Sequence, residues 1–238
     1  MDEALLRIEP AQVPVVVGGV RNFGWVQEGA LARGEQPLFD PDAYAGLRAA
    51  GIGHVLSLRE EGEGAGEVVG RWLPTYSAAI ERAICQQAGL GFLHLPCTDG
   101  RAPDPEGLAV ALGAIEAAAG RGEAVFVHCM AGVGRTGIVA AAWLLAQGSS
   151  GEEAARHFLA FMEGMRSGQA ALGEDQSGFW EGHAIRGQWW ILQQVAAALG
   201  SPIGQGFGWL SPLQPAYARG WDEGYRRTLA PWRRSQRG

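Results

Sequence analysis

The sequence of 238 residues predicts an α/β fold with a mostly parallel central sheet and helices on both faces. Short β-branched or apolar segments, typical of strands, alternate along the chain with longer segments that carry helix-start and helix-stop residues. The run AVFVH at 124–128 is apolar up to its last residue, which favours a central strand covered on both faces. Apolar residues make up 47% of the chain, enough to bury a sizeable core.

The individual elements follow from these signals in chain order. Strands are predicted at 13–17, 54–58, 91–96 and 124–128. Helices are predicted at 41–50, 74–88, 105–119, 136–147, 151–166, 183–199 and 215–229. The helix at 105–119 has the clearest boundaries, because Asp104 can cap it, Pro105 suits its first position and Gly120 its end. The acidic, glycine-rich segment 60–70 is predicted to be a flexible loop.

Composition divides the chain into two parts. Residues 1–181 carry the strand and helix alternation and are predicted to form the main domain. Residues 182–238 are rich in Trp, Gly and Arg, and we expect a helical extension that packs on this domain or mediates contacts. The formal net charge of −6 argues against general nucleic-acid binding. No apolar run reaches the roughly 20 residues of a membrane helix and the N-terminus is acidic rather than signal-like, so we expect a cytoplasmic protein.

The segment HCMAGVGRTG at 128–137 lies between a predicted buried strand and a predicted helix. Its glycines allow backbone N–H groups to turn inward as an anion nest, to which the helix adds its positive N-terminal end. Arg135 can grip two phosphate oxygens, and the same positive groups favour the thiolate of Cys129, a nucleophile whose sulfur Thr136 can reach. The predicted phosphate-binding residues are Met130, Ala131, Gly132, Val133, Gly134 and Arg135.

Three other kinds of site are weighed against this one. A buried cysteine before an ordinary glycine-rich turn is the structural alternative. A P-loop nucleotide site is excluded, because the chain has no G-x-x-x-x-G-K-[ST] segment and no Lys at all. The three cysteines form no disulfide framework and have no Cys or His partners at zinc-binding spacing.

These residues match the signature H-C-x-x-G-x-x-R-T-G, and the chain resembles the cysteine-dependent protein tyrosine phosphatases. The segments NFGWVQEGALARGEQP (22–37), GLRAAGIGHVLSLRE (46–60), GFLHLPCTDGRAPDP (91–105) and GRGEAVFVHCMAGVGRTG (120–137) follow in the order of small atypical dual-specificity phosphatases, similar to the VH1-like phosphatase Z type. The resemblance covers about residues 20–181. It implies a phosphatase catalytic domain, a cysteinyl-phosphate intermediate and no metal or other cofactor.

The resemblance also implies roles for individual residues. Asp99 lies 30 residues before Cys129, at the place of the family's general acid, whereas Asp104 better suits a helix cap. The resemblance gives His128 a supporting role behind the cysteine. Gln176 is the candidate for the water-positioning glutamine, although a surface glutamine is the alternative.

The resemblance leaves the class of substrate open. A phosphorylated protein is expected, with phosphotyrosine first and phosphoserine or phosphothreonine second. A small-molecule, inositol phosphate or RNA 5′-phosphate substrate is the runner-up, and a catalytically silent phosphate-binding module is the rival from another class. Met130, Ala131 and Val133 stand where related lipid phosphatases often carry Lys or Arg, which disfavours multiply charged inositides. Cys97 is expected to pack in the interior, with a redox pairing to Cys129 as the alternative. Oligomeric state is not predicted.

Overall fold

The computed structural model describes residues 15–17, 19–68, 71–175 and 177–233. Its eight strands are β1 Val15–Val17, β2 Val20–Gln27, β3 Leu31–Gly34, β4 Ile52–Ser57, β5 Gly66–Val68, β6 Arg71–Leu73, β7 Gly91–His94 and β8 Ala124–His128. Six of them form one sheet in the order β1-β2-β3-β8-β4-β7, and β5 pairs with β6 in a separate antiparallel hairpin. Its seven α-helices are α1 Pro41–Ala49, α2 Ala78–Gln87, α3 Pro105–Ala119, α4 Gly134–Ala146, α5 Gly151–Ala171, α6 His183–Ala198 and α7 Trp221–Thr228.

The sheet is mostly parallel, which confirms the predicted fold class. Strands β3, β8, β4 and β7 run parallel, and β1 and β2 are added antiparallel at one edge. His128 at the end of β8 is in register with Gly34 of β3 and Ser57 of β4. The residues that follow three neighbouring strands therefore meet at one edge of the sheet, the usual place of a ligand site in an open α/β fold.

Helices cover both faces of the sheet. Val125 and Val127 of β8 belong to a hydrophobic cluster with α3 to α7. Ala124 and Phe126, which alternate with them, belong to a second cluster with α1 and α2. All five residues of β8 are buried, as expected for a strand that contributes to two cores.

Several predicted boundaries are confirmed and others are wrong. Helix α3 has the predicted limits, and Asp104 caps it by accepting a hydrogen bond from the Gly107 N–H at 2.7 Å. Helix α2 begins at Ala78 rather than at residue 74, because Ser77 is still extended. Helix α5 continues to Ala171, five residues beyond the predicted end. The predicted helix at 215–229 is a single 3-10 turn followed by α7, since Gly220 between them has a φ of 80°.

The structure adds four strands that the sequence patterns did not predict. Strands β2 and β3 carry charged and polar residues that interrupt their alternation, and they form through pairing with each other and with β8. Strand β5 lies inside the segment predicted as a flexible loop and forms by pairing with β6. Residues 13 and 14 of the first predicted strand lie outside the described part of the chain.

The C-terminal segment shares the core of the residues before it. Trp189 of α6 is fully buried in the same hydrophobic cluster as α4. Tyr225 of α7 is also fully buried, and its hydroxyl donates a hydrogen bond to the Pro103 carbonyl at 2.6 Å. In the parts of the chain that the structure describes, no helix is both long and apolar enough to cross a membrane.

Candidate active site

The loop 129–133 connects the end of β8 to the first residue of α4. Gly132 has a φ of 72°, and a Cβ atom there would lie 2.1 Å from the Gly34 carbonyl oxygen at the end of β3. Only glycine fits both the left-handed conformation and this close approach. The loop is thus pressed against the neighbouring strand, with the N-terminus of α4 directed at the same place.

Cys129 lies at the base of this loop and is almost fully buried. Burial alone would raise the pKa of its thiol, because a buried charge loses hydration. The charge of Arg135 and hydrogen bonds from Thr136 and from the Gly132 N–H outweigh this effect, so the pKa of Cys129 lies below its usual value. The geometry therefore favours a thiolate, as the sequence motif predicts.

A buried ion pair lies behind the cysteine. Nε2 of His128 is 2.9 Å from Oε1 of Glu81, and both side chains are fully buried. The Glu81 carboxylate also accepts hydrogen bonds from the hydroxyls of Tyr44 and Tyr76, each at 2.8 Å. Burial opposes a charged His128, but the Glu81 carboxylate outweighs it and raises the pKa of His128. Nδ1 of the same ring lies 3.1 Å from the Cys129 carbonyl, which ties the imidazolium to the cysteine backbone.

Arg135 is the positive group at the front of the site. Its Nη1 and Nη2 atoms donate to the two carboxylate oxygens of Glu63 at 2.7 and 2.9 Å. Nη2 also lies 2.8 Å from Oδ1 of Asp99, and Nη1 donates to the Cys97 carbonyl at 2.9 Å. Because these contacts come from two different loops, they fix the plane of the guanidinium above the cysteine.

Glu63 is a site residue that the sequence reasoning missed. It lies in the segment interpreted as a flexible loop, and Arg59 holds it there through an Nε to Oε1 hydrogen bond of 2.9 Å. Burial would raise the pKa of Glu63, but Arg135 and Arg59 outweigh it, so the carboxyl stays charged. The spacing of four residues between Arg59 and Glu63 was the available signal, although it did not show that Arg135 would be the second partner.

The structure places the two aspartates considered for the role of general acid, Asp99 and Asp104, at different cavities. Asp99 lines the cavity above Cys129, contacts Arg135 and keeps 68% of its side chain exposed. Asp104 caps α3 and lines a different cavity. Asp99 is therefore the aspartate that lies at the cysteine.

The cavity above Cys129 has a volume of about 270 Å³. Its walls are mainly apolar and come from the β5 strand, the loop, α5 and α6. Gln188 of α6 lies in this wall, is almost fully buried, and donates a hydrogen bond to the Arg101 carbonyl at 2.8 Å. Gln176, the predicted water-positioning residue, lies outside the described residues. The sequence feature that could have indicated Gln188 as a site residue is its position among apolar residues of a predicted helix.

Cys97 is a buried residue two positions before Asp99. Burial raises the pKa of its thiol to about 12, against the opposing charge of Arg135. It lines the second cavity and not the one above Cys129. A raised pKa disfavours the thiolate of Cys97 at neutral pH.

Comparisons with known proteins agree with this geometry. A family model described as "Polymorphic toxin system, DSP-PTPase phosphatase" matches residues 35–149. Tk-PTP in a mutant form has a TM-score of 0.51 and 23% identity, over 75% of this chain and 96% of that one. A DUF442 protein from Shewanella putrefaciens CN-32, described as a phosphatase, has a TM-score of 0.51 and 18% identity, over 75% of this chain and 90% of that one.

The two structural likenesses establish the fold. Together with the family match and the signature loop, they define a cysteine-dependent phosphatase. Residues 35–149, which match the family model, are similar to the dual-specificity phosphatases of the protein tyrosine phosphatase superfamily.

Proposed function

We propose that this phosphatase removes phosphate from proteins, with phosphotyrosine as the preferred substrate, through a phosphocysteine intermediate at Cys129. The observation that carries the proposal is the position of Cys129, whose pKa is lowered, at the base of an apolar cavity that also holds Arg135 and Asp99. An aromatic ring fits such walls, because burying apolar surface on both sides is favourable. The apolar side chains that face the cavity are Val68, Met130, Ala131, Val133, Met162, Met165 and Ile185.

Charge at the cavity favours a single phosphate group. Arg135 is the one basic side chain among the described residues that line it, whereas Asp99 and Glu174 are acidic. A second phosphate on the substrate would therefore meet no positive partner in this wall. This disfavours inositol polyphosphates and leaves a small aryl or alkyl monoester as the alternative substrate.

In the first step, the Cys129 thiolate attacks phosphorus in line with the leaving oxygen. A bond between sulfur and phosphorus forms, the bond to the leaving oxygen breaks, and protonated Asp99 gives that oxygen its proton. Loop N–H groups and Arg135 bind the equatorial oxygens, where negative charge is concentrated. Oδ1 of Asp99 lies 2.8 Å from Nη2 of Arg135, so a phosphate oxygen that binds this atom takes the place of Asp99 there.

In the second step, water attacks the phosphocysteine. Asp99 takes a proton from the water, the bond between phosphorus and sulfur breaks, and the thiolate leaves with help from the Thr136 hydroxyl. We assign the positioning of this water to Gln188, whose side chain lies beside Gly134 of the loop. Arg135 stays oriented by Glu63 throughout.

The first experiment compares the wild type with Cys129→Ser and Asp99→Asn in the hydrolysis of an aryl phosphate in the presence of EDTA. Cys129→Ser is expected to be inactive, and Asp99→Asn to be slower by about 100-fold or more at neutral pH. A panel of phosphotyrosine, phosphoserine and phosphothreonine peptides and small monoesters then ranks the substrates. Activity in Cys129→Ser would contradict the mechanism, and selectivity for a non-protein phosphate would contradict the substrate class.

A second experiment distinguishes the two glutamines. Gln188→Ala is expected to slow hydrolysis of the phosphocysteine more than its formation, because the water loses its orientation. Rapid-mixing kinetics would then show a burst of released aryl alcohol and an accumulated phosphoenzyme. Gln176→Ala is the matched comparison, and a burst in that variant alone would reverse the assignment.

A further inference from the structure

The outer side of the phosphate-binding loop carries a buried arginine that the mechanism does not use. Arg33 of β3 is fully buried. Its Nε and Nη2 atoms donate to the Gly132 carbonyl at 3.2 and 2.5 Å, and Nη2 also donates to the Val133 carbonyl at 3.1 Å. The guanidinium thus donates hydrogen bonds to two successive carbonyl groups of the loop.

The rest of the Arg33 side chain is held equally firmly. Nη1 lies 3.3 Å from Nε2 of His157, and the guanidinium carbon lies 3.6 Å from the centre of the Phe161 ring. Burial, together with the charge of Arg33, lowers the pKa of His157 to about 3. His157 is therefore neutral, so its Nε2 can accept the hydrogen bond from Nη1.

Two further donors hold the preceding carbonyl groups of the loop. The side-chain amide of Asn22 donates to the Ala131 carbonyl at 3.1 Å, and the Gln36 N–H donates to the Met130 carbonyl at 3.0 Å. Asn22 has a φ of 57°, the one positive value at a non-glycine position in the described chain. Asn tolerates this conformation better than most residues, and here its side chain reaches the loop.

Peptide planarity links the direction of each carbonyl group in the loop to the direction of the N–H group that follows it. Because the peptide unit is planar and trans, a carbonyl that points away from the cavity forces the next N–H to point towards it. Arg33 thereby directs the N–H groups of Val133 and Gly134 inward. Asn22 does the same for the Gly132 N–H, one of the groups that lower the pKa of Cys129.

Charge adds to this geometric effect. Burial lowers the pKa of Arg33 to about 9 against the opposing charge of Cys129, so its guanidinium is positive at neutral pH. A positive charge behind the loop favours both the thiolate and a bound phosphate dianion. Arg135 lies in front of the loop and Arg33 behind it.

We propose that Arg33, with Asn22, is a positioning residue of the phosphate-binding loop, and that its fork on the Gly132 and Val133 carbonyls aims the loop N–H groups at the phosphate. The proposal rests on the proposed phosphatase function, because it concerns the same anion site. Neither residue lines the cavity above Cys129. Both act through the loop and not by touching substrate.

The test compares four full-length variants with the wild type: Arg33→Lys, Arg33→Met, Asn22→Ala and the control Leu47→Ala. Leu47 is a fully buried residue of α1 in the second hydrophobic cluster, so its truncation destabilises the fold without touching the loop. The readouts are the affinity for inorganic phosphate and vanadate, obtained from ligand-dependent shifts in melting temperature, and kcat and KM for an aryl phosphate.

Arg33→Met is expected to bind both anions about 10- to 100-fold more weakly, because two loop N–H groups lose their fixed direction. Arg33→Lys, which keeps the charge but cannot span both carbonyls, is expected to fall between Arg33→Met and the wild type. Asn22→Ala is expected to weaken anion binding as well, by less than Arg33→Met, because only the Gly132 N–H loses its fixed direction. Leu47→Ala is expected to lose melting temperature but keep the wild-type anion affinity.

Anion affinities within twofold of the control in Arg33→Lys and Asn22→Ala would overturn the proposal, because a purely structural role lowers stability only. If Arg33→Met does not fold, these two milder variants still decide the question. A wild type that neither binds phosphate nor hydrolyses aryl phosphate would instead refute the proposed function itself.

Discussion

At the scale of single residues, the site depends on how charge is distributed around one sulfur atom. Cys129 is buried, which by itself disfavours a thiolate, yet its pKa is lowered because Arg135 and three hydrogen bonds from Thr136 and Gly132 favour the charged form. Cys85 and Cys97 are also buried, and the pKa of each is raised; the charge of Arg135 also acts on Cys97, but burial outweighs it there. The environment, and not the residue type, therefore distinguishes Cys129 from the other two cysteines.

This difference predicts site-selective alkylation. At pH 6.5 an ordinary thiol with a pKa of about 8.5 is roughly 1% ionised, so we expect iodoacetamide to label Cys129 quickly while Cys85 and Cys97 stay unlabelled in the folded protein. Peptide mass spectrometry after timed labelling between pH 5 and 9 gives the three profiles. Cys129→Ser is the control, and a Cys129 rate that rises only above pH 8 would contradict a depressed pKa.

At the scale of elements, the connection between β8 and α4 is built around one glycine. The left-handed φ of Gly132 and its approach to the Gly34 carbonyl are separate constraints, and they act at the same residue. Strand β3 therefore determines the shape of a loop that lies about a hundred residues later in the chain. The strand also provides Arg33, which contacts the same loop from behind.

Gly132→Ala is accordingly expected to lose activity by about 100-fold or more, because the loop N–H groups shift when the new Cβ displaces it from Gly34. Gly122→Ala is the matched control, since Gly122 has a φ of 74° with no atom within 4 Å of a Cβ atom. Both variants carry a left-handed penalty of about 1–2 kcal/mol, measurable by urea unfolding. Equal activity in the two variants would show that the close approach to Gly34 is unimportant.

At the scale of the whole molecule, a buried polar network joins helices α1 and α2 to the end of β8. Glu81 of α2 accepts hydrogen bonds from Tyr44 and Tyr76 and pairs with His128 at the end of β8. Removing one partner of a buried ion pair leaves the other charge without compensation. The network thus connects the stability of the fold to the support of the catalytic loop.

Glu81→Gln is expected to lower the free energy of unfolding by about 3–5 kcal/mol near pH 6. The lowered pKa of Glu81 contributes stability above its unfolded-state pKa of about 4.3, and this is lost as the pH falls through the folded value. The raised pKa of His128 contributes stability below its unfolded-state pKa of about 6.5, and this is lost as the pH rises through the folded value.

The difference between wild type and Glu81→Gln is therefore expected to be largest between about pH 4.5 and 6.5 and smaller at pH 9. Urea unfolding at pH 6 and pH 9 measures it. Glu152→Gln, which removes an exposed contact with Arg156, is the control and is expected to keep wild-type stability. A difference of the same size at both pH values would contradict the charged pair.

The sequence by itself determined the features that depend on neighbours along the chain. The α/β class, the limits of α3 and its Asp104 cap follow from periodicity and capping residues, and the structure confirms them. The segment between β8 and α4 is likewise local, because a strand, a glycine-rich turn and a helix N-terminus are enough to form an anion nest. The positions of Cys129 and Arg135 in such a nest therefore follow from this segment alone.

Only the tertiary structure decided which distant residues complete the site. Glu63, Arg33, Glu81 and Gln188 come from four different elements or loops. Each contacts the loop or a residue that flanks it, through pairing or packing that no local pattern encodes. Strands β2 and β3 escaped prediction for the same reason, since their polar residues are stabilised by partners across the sheet. Cys129 is recognisable from the residues next to it in the chain. The residues that surround it are identified only by their proximity in the folded structure.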